Sequence, residues 1–144
     1  MATKYMKYAT KEKLEQVNDK NKRLIEKYFN YKSLNLSDAT KESYQSDFNQ
    51  FLVFILENYR NEYLLDMIED DPNEVVDLVE DWVSHCIRVF ENNERRIQRR
   101  MSSISSLFIY LKKRYRDKVK ENPLDYLDRP KVSSGEKPQV KQTY

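Results

Sequence analysis

An all-α fold, a compact bundle of four to five helices, is what the sequence predicts, and three observations predict it. The 144 residues contain a single glycine, Gly135, close to the C-terminus. Hairpins and phosphate-cradling loops draw on glycine for positive φ, whereas helix interiors need none. Apolar residues recur at steps of three and four through several long segments. Helix-start residues precede those segments: Ser37 or Asp38, Asp71-Pro72, and Asn92-Asn93.

A chain of 17.5 kDa fits one domain with short extensions. Its make-up is 39% hydrophobic and 35% charged, which implies a modest core under a highly charged surface. Three parts are expected: a helical extension over 1–35, a domain over 36–128 and a linker over 129–144.

The elements follow in order. From Lys11 to about Lys32, Leu14, Val17, Leu24, Ile25, Tyr28 and Phe29 predict one helix, packed only in part on the rest. Ser37 or Asp38 opens the next, whose stripe is Tyr44, Phe48, Phe51, Leu52, Ile55 and Tyr59. Its opposite face, with Ser43, Ser46, Asn49 and Gln50, is polar but nearly uncharged. Glu62 to Asp70 forms a connection with a short helical turn, anchored by Tyr63, Leu64, Leu65, Met67 and Ile68. Asp71, Pro72 and Glu74 then resemble a capping box. The helix they start presents Val76, Val79, Trp82, Val83, Cys86, Ile87 and Phe90 to the core. The last long helix keeps Ile97, Met101, Ile104, Phe108, Leu111 and Tyr115 on one stripe. At about 100° per residue its outer face holds Arg95, Arg99, Ser102, Ser103, Ser106, Tyr110 and Lys113, with Arg96 and Arg100 at the core boundary. Asn122-Pro123 ends it, and Leu124, Tyr126 and Leu127 predict one apolar turn that latches onto the bundle.

The net charge of +2 conceals a polarised chain. Every charged residue from Glu62 to Asp81 is acidic. Arg95 to Lys120 carries ten cations against Asp117 alone. Cys86 is the only cysteine and His85 the only histidine, so neither an intramolecular disulfide nor a multi-histidine metal site is available, and no metal or cofactor is expected. The acidic run reads as a solvated face, with divalent-cation binding as the alternative. No apolar run suits a leader or a membrane span, so an intracellular, cytoplasmic protein is expected. His85-Cys86-Ile87-Arg88 matches H-x-x-R, but it lies inside an amphipathic helix and reads as ordinary helix sequence.

The outer face of the last helix is the feature that suggests function. Arginine neutralises phosphate and pairs with guanine edges, and serine lets a helix backbone approach a duplex. A solubilising basic face is the alternative; such faces usually mix in Glu.

Leu36-Ser37-Asp38-Ala39-Thr40 followed by Tyr44, Asp47-Phe48 and Phe51 resembles the opening of the core-binding (SAM-like) domain of tyrosine recombinases and phage-type integrases. Arg96 to Leu111 resembles a later segment of that domain, and Asn122-Pro123 with Arg129-Pro130-Lys131 resembles its close. The resemblance covers Leu36 to Lys131; residues before Leu36 resemble an extra N-terminal helix of some integrases. It implies half of a C-shaped clamp with two helices in the major groove of double-stranded DNA. The DNA-facing residues it implies are Thr40, Lys41, Ser43 and Ser46 on one helix and Arg95, Arg96, Arg99 and Ser103 on the other. It further implies a phage- or bacterium-encoded, nucleoid-associated parent recombinase, with other protomers as partners on DNA. That parent would cut and rejoin DNA through a phosphotyrosine, using a catalytic domain beyond residue 144. This chain lacks that domain's residues, and Tyr144 has no catalytic context. Two other readings stay open: a stand-alone helical DNA-binding regulator, and a protein-interaction bundle using the acidic helix.

Overall fold

The computed structural model describes residues 8–130. Among them the chain is all-helical. It comprises α1 (Lys11–Gln16), α2 (Asp19–Lys32), α3 (Asp38–Asn58), α4 (Leu64–Asp70), α5 (Pro72–Arg88) and α6 (Glu94–Arg114), followed by a 3-10 turn, Pro123–Tyr126. The linker expected over 129–144 lies largely outside the described residues. No helix among those described is long and apolar enough to cross a membrane.

The single N-terminal helix expected from Lys11 to Lys32 is two. Val17 is extended and buried, and Asn18 caps α2 by accepting from Lys20 N–H. Asn61, at φ 53 in the turn after α3, holds this break. Its Oδ1 accepts from Asn18 N–H at 2.9 Å and its Nδ2 donates to the Gln16 carbonyl at 2.9 Å. Asn21 caps α4 from α2: its Oδ1 accepts from Leu64 N–H at 2.8 Å. With no glycine nearby, asparagine serves best here, because its short polar side chain tolerates the left-handed region. Val17, Leu24, Ile25 and Tyr28 belong to the same buried cluster as the rest of the bundle.

Ser37 is the cap of α3, accepting from Thr40 N–H at 3.1 Å. The sequence predicts one stripe for this helix; the structure buries every residue from Gln50 to Ile55, including Val53 and Phe54. Helices α1, α2, α5 and α6 all pack on α3, so it is the central helix, and such a helix is apolar all round. Asp71 caps α5 as expected. The buried face of α5 is rotated, however. Val75 and Leu78 point inward where α4 closes on the helix, Val76 and Val83 are half-buried, and Ile87 is 50% exposed. Asn93 caps α6. After it, Asn122 accepts from Leu124 N–H and donates to Ser105 Oγ, each at 3.0 Å, which fastens the 3-10 turn to α6. Leu124 is buried there, but Tyr126 is 58% exposed and not part of the latch.

Candidate nucleic-acid interface

α3 and α6 pack on one another, joined by a buried carboxylate that faces two arginines. Arg99 Nη2 donates to Asp47 Oδ1 at 3.2 Å. Asp47 is buried, so its charge has to be compensated inside the protein. Arg100 supplies a second cation, with Nη1 3.8 Å from the same oxygen. The Arg100 guanidinium is itself buried over the rings of Trp82 and Phe90, and its Nε donates to Asn92 Oδ1 at 2.6 Å. Burial lowers its pKa below the ordinary guanidinium value.

Of the candidates, Arg99 joins this seam directly, and not all of the others are presented to solvent. Ser46 is exposed and accepts from Gln50 Nε2, while Ser43 is half-buried. Thr40 is engaged at the helix start, where its hydroxyl oxygen accepts from Ser37 Oγ at 2.9 Å. Arg95 is exposed, and Arg96 and Arg99 are partly so. Ser103 is fully buried and donates to the Arg100 carbonyl at 2.9 Å, so the expectation that it faces DNA is corrected. Lys41 lies about 120° around α3 from Asp47. It lines a separate cleft with Glu26, Phe29 and Asp38, away from α6.

The cause of these corrections is the packing of α6. Ser106 hydrogen-bonds the Tyr28 hydroxyl at 2.6 Å, and Tyr110 is buried against Tyr28 and Tyr31. The small side chains Ser103 and Ser106 admit α2 and α3 to the backbone of α6. Its solvent face is therefore turned by roughly 70° from the expected one and runs through Arg95, Gln98, Ser102, Ser105, Ile109 and Lys112.

Arg129, absent from the expected site, crosses this face. Its Nη1 donates to Ser102 Oγ at 3.0 Å, and Gln98 Nε2 donates to the Pro130 carbonyl at 2.6 Å. Burial first, and Asp47 next, raise the pKa of the Tyr44 hydroxyl, while Arg99 and Arg129 oppose the rise. The sequence carried a signal for the buried pair: Asp47 falls between Tyr44, Phe48 and Phe51, and an acid on an apolar stripe needs a cation.

His85 belongs to an aromatic cluster of Tyr8, Phe54, Trp82 and Phe90, with ring centroids 4.8–6.0 Å away. Burial lowers its pKa, and its Nε2 is buried. Arg88 turns instead to Ser84 Oγ at 2.9 Å. The neighbouring Cys86 thiol is buried and pushed up to about 12. The acidic α4–α5 surface is partly compensated by Arg60, which pairs with Glu62 and Glu74, and by Lys118, which pairs with Glu69.

No family model, no curated protein and no solved structure matches this chain.

Proposed function

We propose that this chain binds double-stranded DNA through the α3–α6 seam, as the core-binding domain of a tyrosine recombinase or phage-type integrase. The observation that carries the reading is the pairing of two helix N-terminal halves across Asp47–Arg99. Together they offer Ser43, Ser46, Arg95, Arg96 and Arg99, with Arg129 reaching Ser102 from beyond the 3-10 turn; Asp47 is buried, while Glu42 and Glu94 are exposed at the edges. Arginines at the first turns of α6 contact phosphate or base edges, and the Ser43 and Ser46 hydroxyls of α3 offer hydrogen bonds to the same groove. The order of motifs from Leu36 to Pro130 supports the recombinase assignment over a stand-alone regulator. In that assignment the chain supplies grip and orientation, other protomers assemble on the same DNA, and the chemistry belongs to the rest of the parent enzyme.

A salt series tests the reading. Duplex titrations followed by fluorescence anisotropy should give weak binding, on the order of micromolar, that tightens as salt is lowered. About 4–6 phosphate contacts give a log–log slope near −4 to −5. A flat salt response would favour the protein-interaction reading, which the exposed acids Asp66, Glu69, Asp77 and Glu80 recommend.

A further inference from the structure

The cations of α2 have no part in the α3–α6 seam. Asp19, Arg23, Lys27 and Tyr31 fall at steps of four and form one exposed ridge on this helix, with Asp19 at its start paired to Lys22 at 3.7 Å. Glu26 does not share the ridge; it faces α3, in a cleft with Lys22 and Gln45. At its end the ridge meets α6. The Tyr31 ring packs on Tyr110 with centroids 5.0 Å apart, and Lys113 Nζ donates to the Tyr31 hydroxyl at 3.4 Å. Arg114 follows, exposed. Among the described residues, none of Arg23, Lys27, Lys113 and Arg114 has a carboxylate within ion-pair distance. Lys13, Lys22, Arg60, Arg99 and Lys118 each have one.

Cations held together without counter-charges repel one another, and a polyanion relieves that repulsion. Position says which polyanion. Lys113 has the same bearing on α6 as Arg95, five turns and about 27 Å further along. A duplex whose axis runs along α6 from Arg95 would have the Arg23–Lys27–Tyr31 ridge beside its continuation.

We propose that Arg23, Lys27, Lys113 and Arg114 form a second phosphate-binding surface, which takes the sugar–phosphate backbone of the duplex flanking the segment held at the seam. Tyr31 stands among them as a hydroxyl donor. The proposal rests on the DNA-binding reading and gives the N-terminal helix a function besides packing.

The test uses the full chain, R23A/K27A and K113A/R114A, each titrated with a 10-bp and a 30-bp duplex over a salt series. All four side chains are exposed, so both variants should melt with the wild type. On the long duplex each double substitution should reduce the magnitude of the log–log slope by about 1.8, at roughly 0.9 for each phosphate left without its cation. On the short duplex, both variants should match the wild type. Unchanged slopes on the long duplex, with the wild type still steep, would overturn this proposal alone. A wild type whose binding ignores salt would overturn the DNA reading as well. If the variants instead lose only affinity for phosphatidylserine vesicles, measured in parallel, the surface is for anionic lipid and the proposal fails.

Discussion

Asp47 shows how one buried charge redistributes the roles of its neighbours. Its carboxylate draws in Arg99 and Arg100, so two of the arginines on the first turns of α6 help hold α6 to α3. Arg99→Ala should therefore do two things. It removes a cation from the seam, and it leaves Asp47 with Arg100 alone at 3.8 Å. Arg99 is over a third exposed, so the stability loss should be on the order of 1–2 kcal/mol, below that of a fully buried pair. Arg95→Ala has no such coupling. Its stability should stay within about 0.5 kcal/mol of wild type, while the slope of DNA binding against salt falls by about 0.9. Melting curves and titrations on both variants separate the two effects.

His85 carries a pH dependence of the fold. Burial holds the folded imidazole below its ordinary pKa near 6.5, partly offset by Glu57 and reinforced by Arg88 and Arg100. As pH falls, the unfolded chain takes up the proton first. Stability is then lost from about pH 6.5 downward, and the loss levels off once the folded imidazole also protonates. Melting temperatures between pH 7.5 and 5.5 should fall for the wild type and fall less for His85→Phe. Equal slopes would show that the aromatic cluster does not exclude the imidazolium.

At the scale of elements, the caps and the apolar stripes of α3 and α6 were legible, and the full width of the buried faces was not. Ser37, Asp71 and Asn93 each bind the N–H group that a capping residue should, because a cap depends on residues three apart in the chain. The bearing of a helix depends on which neighbours reach it. The serines of α6 admit α2 and α3, which turns Ser103 and Tyr110 inward. The same cause hid the break at Val17-Asn18, which is held by Asn61 from a distant turn. The corrected bearing makes a prediction. Ile104 is 1% exposed and Ile109 47%. Ile104→Ala should cost about 2–5 kcal/mol through the cavity it leaves, and Ile109→Ala should cost less than about 1 kcal/mol. Chemical denaturation of the two variants measures the difference, and similar losses would contradict the bearing.

Over the whole molecule, one buried cluster unites residues from Val17 to Leu124, and charge is segregated around it. Acids line α4 and α5, while cations follow α6 and the exposed ridge of α2. The sequence showed that polarity, but it could not show that Arg99 and Arg100 turn toward Asp47 or that Arg129 returns across Gln98 and Ser102. Those interactions join residues 27–53 positions apart, beyond the reach of periodicity. Duplex DNA is proposed to meet the protein at the seam of α3 and α6. Backbone amide chemical shifts recorded during titration with a duplex test it most directly. Perturbations should concentrate in residues 40–47 and 93–102 and at Arg129, and should reverse when salt is raised. Shifts confined to α4 and α5, or no shifts at low salt, would contradict it.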